Sequence, residues 1–500
     1  MKLASVHRLF CIGSVGICLA ACSGHVENPT LTTSLASPAA RPLRSSSPDS
    51  EALVYSFPQK NNWPTNPNGP VSLGATGTLY GTAATFWNPN CGGECGPGAV
   101  YSITTTGSQT TAQVLHLFNG NDGNEPQTGV TRGADGALYG TTVGGGSFSY
   151  TCYTYSFGCG VLFKLKNSGS AWTYTALHKF GSSKGDGEYP SGPPLLINGV
   201  LYGVTNNGGS NACSMGSTSI GCGTIYKINT DGTGYTILHN FSGGVMNFPN
   251  GSLTSDGNRN LYGTVAFGGG GTCDSTVGCG AVFEIGTDGT NFVNVHAFTG
   301  VNGNDGATPE MGVTLANGKL FGTTAGGGFA GCAIQGDNPG GCGVIFQLTP
   351  GPSSWSETIL HRFSPGNGQA RIPSGLSFAA NGLLYGATSY GGGCGNSKFP
   401  DGCGVVFDLT TAGSYTTIHQ FQGPPNDGAI PFGGTPAGPP VMPPPQAGPA
   451  GSGAGLVVDA AGAIWGATDF GGSGNCGGTG CGAVYKITGT KLPIGRHHQK

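Results

Sequence analysis

Short apolar runs recur along this chain, separated by Gly, Asn and Asp. Runs of this kind, bounded by turn residues, predict β-strands. One stretch shows the layout. Ser252-Leu253-Thr254-Ser255 is followed by a turn at Asp256-Gly257, an apolar run over 260–265 and a Gly-rich loop. A run over 281–285, a turn at Asp288-Gly289 and a run over 292–298 complete the unit. These are strands A, B, C and D of a meander. The unit returns with a landmark in strand B: Leu79-Tyr80-Gly81, Leu138-Tyr139-Gly140, Leu201-Tyr202-Gly203, Leu261-Tyr262-Gly263, Leu320-Phe321-Gly322, Leu384-Tyr385-Gly386 and Ile464-Trp465-Gly466. A period of about sixty residues marks a supersecondary unit that buries its apolar face only against its copies.

Seven four-stranded antiparallel units predict an all-β fold, a seven-bladed β-propeller. The last unit stops after strand C, Ala483-Val484-Tyr485-Lys486-Ile487. A lone D-type strand, Ala52-Leu53-Val54-Tyr55-Ser56-Phe57, stands at the start. Pairing these two closes the ring. The rival architecture, an open β-solenoid, leaves the first strand without a partner and needs caps.

Glycine supplies 97 of 500 residues and proline 33, which without a period reads as a disordered chain. Here the glycines return in register with the strands, so they read as turn residues. Lys2 and Arg8 precede an apolar run over 9–21, too short to span a membrane as a helix. The run ends in Leu19-Ala20-Ala21-Cys22, which resembles the lipobox of bacterial lipoproteins. That resemblance implies a signal peptide over 1–21 and a lipid on the Cys22 thiol. The alternative is an ordinary Ala-x-Ala-like cleavage site. Ser23 after the cysteine, in place of the Asp of inner-membrane retention signals, implies the outer membrane where the organism has one. Residues 22–51 are rich in Ser, Thr, Pro and Ala and read as a flexible tether; 52–489 form the propeller and 490–500 a basic tail. The mature chain carries 18 basic and 23 acidic residues, a balance of −5 that argues against a nucleic-acid partner.

Fourteen of the 17 cysteines fall two to each B–C loop: Cys91 and Cys95, Cys152 and Cys159, Cys213 and Cys222, Cys273 and Cys279, Cys332 and Cys342, Cys394 and Cys403, Cys476 and Cys481. An even count in an exported chain predicts disulfides, here one within each blade. Zinc knuckles need a fixed short spacing, and this spacing varies, so no metal and no cofactor are assigned. In an A–B–C–D blade the long B–C and D–A connections share one face, where repeat proteins usually place recognition. The D–A connection carries Asp122-Gly123 before Pro126, Asp186-Gly187 before Pro190, Asp305-Gly306 before Pro309 and Asp427-Gly428 before Pro431. This is turn chemistry, with calcium as the alternative; the dense oxygen set of an EF-hand is missing. Strand D carries His116, His178, His239, His296, His361 and His419, which predicts a repeated structural hydrogen bond. A Pro/Gly-rich insert over 423–455 is placed in the last D–A connection, on the disulfide face, as a tolerated loop or as an arm over the mouth.

No catalytic motif of the hydrolase, metalloprotease or nucleotide-binding kinds appears. The combined pattern does have a likeness. Leu138-Tyr139-Gly140-Thr141-Thr142 and Gly402-Cys403-Gly404-Val405-Val406-Phe407 resemble the GloVer tandem repeat of bacterial "choice-of-anchor" surface proteins. The resemblance covers nearly all of the mature chain and implies a surface location rather than an activity. Two functions follow from these readings. One is a rigid, lipid-anchored envelope module, at the cell surface or in the periplasm, that binds or scaffolds a glycan or protein. The other is a propeller hydrolase or lyase acting on polysaccharide. The second needs paired carboxylates about 5–10 Å apart. Acids that break the repeat are Glu94, Glu125, Glu188, Asp274, Asp337 and Asp469.

Overall fold

Each Leu-Tyr-Gly unit folds into one antiparallel sheet in the strand order A-B-C-D, and seven such sheets stand as the blades of a β-propeller. The computed structural model describes residues 50–489 apart from 76, 89–92, 95, 147–151, 153–157, 170, 216–217, 244–245, 272, 274–277, 302–303, 333–339, 365–370, 395–396 and 432–454. Blade four is representative, with strands Met246–Ser255, Asn260–Gly268, Ala281–Gly286 and Val293–Ala297. The ring closes as the orphan strand requires. Ser50–Ser56 becomes strand D of blade seven and pairs with Ala483–Thr488, setting Ser50 opposite Thr488 and Leu53 opposite Tyr485.

The blades are joined through the third landmark residue. A Cβ on the glycine of Leu-Tyr-Gly would lie 2.3–2.5 Å from the strand C aromatic ring in all seven blades: Tyr101, Phe163, Tyr226, Phe283, Phe346, Phe407 and Tyr485. The tip of each ring therefore sits where a side chain on the glycine would go, and each ring is almost wholly buried. Each then meets edge-on the strand D phenylalanine of the preceding blade. The pairs are Phe57–Tyr101, Phe118–Phe163, Phe180–Tyr226, Phe241–Phe283, Phe298–Phe346, Phe363–Phe407 and Phe421–Tyr485, at centroid distances of 5.0–6.0 Å. Edge-to-face contacts of this kind add about 0.5–1.5 kcal/mol each beyond the area they bury.

Strand A corrects the sequence reading. In blades three and seven the Asp-Gly-x-x-Pro segment is not only a connection; its Gly-to-Pro stretch is the first half of the innermost strand. In blade three Gly187 pairs with Gly208 and Pro190 with Thr205; a bulge then intervenes before Leu195 pairs with Tyr202. Proline is tolerated because strand A is the sheet edge at the hub, where its missing N–H breaks no ladder bond. The bulge glycines pack backbone to backbone across blades. A Cβ on Gly192 would sit 2.8 Å from the Gly251 carbonyl oxygen, and one on Gly251 would sit 2.3 Å from the Gly312 nitrogen. Strand B threonines tie the same joints: Thr141 donates to the Gly192 carbonyl at 3.0 Å and Thr323 to that of Ser374 at 3.0 Å.

This register also moves the insert. Pro431 pairs with Thr468 and Leu456 with Gly466, so residues 432–455 replace the bulge inside strand A of blade seven. Residues 423–431 of the expected insert are thus connection and strand, and 432–454 lie outside the described residues.

The joint geometry makes Gly263→Ala an overpacking change, with an expected cost of about 1–3 kcal/mol in urea unfolding. Adding Phe283→Leu should recover part of it, whereas strictly additive energies would refute the contact. Phe57 is 1% exposed. Phe57→Ala should therefore destabilise the ring by about 3–5 kcal/mol, although it lies in the strand most remote in sequence from its blade.

Candidate functional site on the disulfide face

Long connections gather on one face of the ring, and each is fastened twice. Among the described residues, disulfides join Cys152 to Cys159, Cys213 to Cys222, Cys273 to Cys279, Cys332 to Cys342, Cys394 to Cys403 and Cys476 to Cys481, with Cα–Cα distances of 4.9–5.6 Å. Bonds of this number belong to an oxidising, extracytoplasmic compartment. Cys22, Cys91 and Cys95 lie outside the described residues.

The second cysteine also works through its backbone. Its carbonyl accepts an N–H from the next blade: Tyr189 to Cys159 at 2.8 Å, Phe248 to Cys222 at 3.0 Å, Thr308 to Cys279 at 2.8 Å, Ile430 to Cys403 at 2.8 Å and Asn66 to Cys481 at 3.1 Å. In blade one the acceptor is Pro97, bound by Glu125 at 2.8 Å. Gly96-Pro97-Gly98 thus stands where the other loops carry Gly-Cys-Gly, a substitution the cysteine count conceals. The donor always precedes a proline. Its φ is left-handed, 53–56°, at Asn66, Glu125, Tyr189, Phe248, Thr308, Ile372 and Ile430. Non-glycine residues held there carry about 1–3 kcal/mol of strain each. Seven-fold repetition assigns that strain to the blade joint rather than to one site.

The strand D histidines share one contact. Each packs edge-on against the phenylalanine two residues later, at 4.7–4.9 Å. Where the D–A connection supplies an aspartate, the ring nitrogen meets it: His116–Asp122 at 3.1 Å, His178–Asp186 at 3.0 Å and His419–Asp427 at 3.3 Å. These carboxylates also cap backbone N–H groups, as in Asn119 to Asp122 at 2.8 Å and Gln422 to Asp427 at 2.7 Å. Burial pushes their pKa values up, but the histidine and backbone hydrogen bonds outweigh it and hold all three below the usual carboxylate range. His239 and His361 have no such aspartate in their connections and keep the aromatic stack, on Phe292 at 3.8 Å and Tyr415 at 4.1 Å. The expected hydrogen bond is therefore confined to blades with an aspartate; burial lowers His239 and pushes His361 down to about 4.

The acids that break the repeat belong to several blades. Glu125 precedes strand A of blade two, Glu188 lies in strand A of blade three, and Asp469 lies in strand B of blade seven. Asp469 is 4% exposed; its Oδ1 lacks a hydrogen bond and burial raises its pKa strongly. Glu94 lies in a two-residue strand, and Asp274 and Asp337 fall outside the described residues. A trio that sequence reading missed, His296, Asp305 and Glu357, converges at the joint between blades four and five. The available signal was Glu357, four residues before His361, where other blades carry Tyr174, Tyr235, Phe292 and Tyr415.

The model of the Gloeobacter/Verrucomicrobia repeat matches residues 45–216, 148–333 and 212–439. The chain belongs to this repeat family. No curated protein matches it. Solved structures with partial likeness include the nidogen/laminin complex, at 14% identity over 69% of this chain and 94% of that one, TM-score 0.38. An oligogalacturonate lyase in complex with manganese aligns at 11% identity over 84% and 87%, TM-score 0.44. TolB from Acinetobacter baumannii aligns at 12% over 69% and 64%, TM-score 0.36. The propeller assignment for this member of the Gloeobacter/Verrucomicrobia repeat family rests on its own sheet topology.

With a folded pKa of about 4 against an ordinary 6.5, His361 binds fewer protons in the folded state than in the unfolded chain across that interval. Its contribution is complete above pH 6.5 and is lost as pH falls toward 4, at up to about 1.4 kcal/mol per pH unit. His361→Phe keeps the ring on Tyr415 and should flatten the urea midpoint over that window; an unchanged slope would count against the buried neutral imidazole. Replacing Cys213 and Cys222 together by serine should cost about 2–3 kcal/mol on the loop-entropy account. The check is the melting temperature of the double variant against wild type, both under oxidising conditions.

Proposed function

We propose that this protein is a lipid-anchored binding or scaffold module of the bacterial cell envelope, at the cell surface or in the periplasm. The lipobox-like Leu19-Ala20-Ala21-Cys22 would carry the anchor, on the outer membrane where there is one, and residues 22–51 the tether. The ligand is a glycan or a protein, met by the disulfide face.

One observation carries this reading: the asymmetry of the two faces. The A–B turns are as tight as Asn198-Gly199, between Gly187–Ile197 and Val200–Gly208. The opposite face carries the long B–C loops, each of six pinned by a local disulfide. Loops stiffened before binding lose less entropy on binding, which is what a recognition surface gains from cross-links of this kind. The hydrolase or lyase alternative needs two carboxylates facing one bond. Glu125, Glu188 and Asp469 belong to blades two, three and seven.

Two measurements test the proposal. Cys22→Ser should leave the propeller folded and move the protein from the membrane to the soluble fraction; continued membrane partition defeats the anchor. The purified protein on an array of envelope and extracellular glycans, alongside a pull-down of envelope proteins, should give saturable binding that reduction of the disulfides weakens. Turnover of a polysaccharide, abolished by Asp469→Asn, would instead favour the enzyme.

A further inference from the structure

At the joints following blades one, two, three and five, the strand D histidine lies flat on an aromatic ring of the next blade. The pairs are His116–Tyr174, His178–Tyr235, His239–Phe292 and His361–Tyr415, at 3.7–4.4 Å. Between blades four and five the ring is missing and Glu357 stands in its place. Its Oε1 is 3.4 Å from His296 Nε2, and Asp305 Oδ2 is 3.6 Å from the same nitrogen. Both distances exceed the 3.0 Å of His178–Asp186, and neither His296 Nε2 nor Glu357 Oε1, both shielded from solvent, has a hydrogen-bond partner. The three donor atoms lie within 4.8 Å of one another.

These separations fit a shared ion better than they fit each other. Ligands about 2.0–2.2 Å from a tetrahedral metal stand about 3.3–3.6 Å apart. We propose that His296, Asp305 and Glu357 form a binding site for one divalent transition-metal ion of the zinc or manganese kind. One imidazole and two carboxylates suit both ions, and water completes the coordination. Asp305 is already aimed. Its Oδ2 accepts from the Thr299 N–H at 2.9 Å and the Thr299 hydroxyl at 3.1 Å, and its Oδ1 accepts from the Gly306 N–H at 2.5 Å. Such bonds to a ligand carboxylate fix its orientation. The side chains of His296, Asp305 and Glu357 are 19%, 9% and 17% exposed, so the trio lies just beneath the surface. An imidazolium is the competing occupant. Burial lowers the His296 pKa, and the two carboxylates outweigh it and hold it at about 9. The inference stands apart from the binding-module proposal, since a metal here joins two blades whatever the disulfide face recognises.

The fold supplies its own control, because neighbouring joints already accept an aromatic ring. Purified full-length protein is dialysed against zinc chloride, and separately manganese chloride, and bound metal is counted. Glu357→Tyr restores the ring found at the other joints and should remove one equivalent of metal per chain while the fold persists. Tyr235→Glu sets a carboxylate beside His178 and Asp186 and should add one equivalent. If Glu357→Tyr fails to fold, Glu357→Gln keeps the shape and should weaken metal affinity at least tenfold. Equal metal content and affinity in wild type and the Glu357 variants would overturn the site and leave the trio as a histidine held between two carboxylates.

Discussion

A glycine that gives up its side chain so that the tip of an aromatic ring can sit there sets the geometry of every blade. Strand B can approach strand C's ring only where no Cβ intervenes, as at Gly140 beneath Phe163 and Gly466 beneath Tyr485. With the tip of the ring seated there, the phenylalanine of the blade before meets it edge to face. The blade's internal packing and its joint to the neighbour are thus one interaction seen from two sides. The strand D histidine braces that same phenylalanine from the other edge. Because seven such joints share one geometry, a blade cannot tilt without disturbing the next. That interdependence suits interiors that are close-packed rather than fluid.

The parts legible in the sequence are those carried by residue type at a fixed period. The Leu-Tyr-Gly landmark, the paired cysteines and the orphan strand ending in Phe57 each announce themselves, and they suffice for blade number and closure. What stayed hidden depends on backbone register. Asp-Gly-x-x-Pro looks like a turn because its residues are turn formers, yet the ladder from Gly187 to Pro190 shows it built into a strand at an edge that tolerates proline. The same error displaced the insert, whose entry after Pro431 is visible only once Pro431 is paired with Thr468. Strand C to strand D pairing also carries a bulge at the residue before each histidine, as at Leu177 and Val295, and nothing in a single copy's alternation reveals it.

For the candidate site, repetition hides exceptions as readily as it reveals rules. Glu357 reads as an ordinary exposed residue of strand D until its register places it against His296. Pro97 is the reverse case, a residue of different chemistry that keeps the backbone role of the second cysteine. Side-chain chemistry and backbone role therefore diverge across the seven copies, and only the second is conserved by the fold. Departures in side chain at a conserved backbone position are where chemistry particular to this chain can reside.

The pairing of Ser50 with Thr488 has a mechanical consequence. Both residues sit at the end of the last blade away from the disulfide loops, so the chain enters and leaves the ring on the face opposite those loops. Force applied between Ser50 and the disulfide loops runs along the closing strand from Ser50 toward Phe57. Its hydrogen bonds to Ala483–Thr488 lie across that direction. They are loaded together in shear rather than peeled one at a time, and the Phe57–Tyr101 contact takes the strain at the far end. The clasp that makes the ring is also oriented to resist being pulled open.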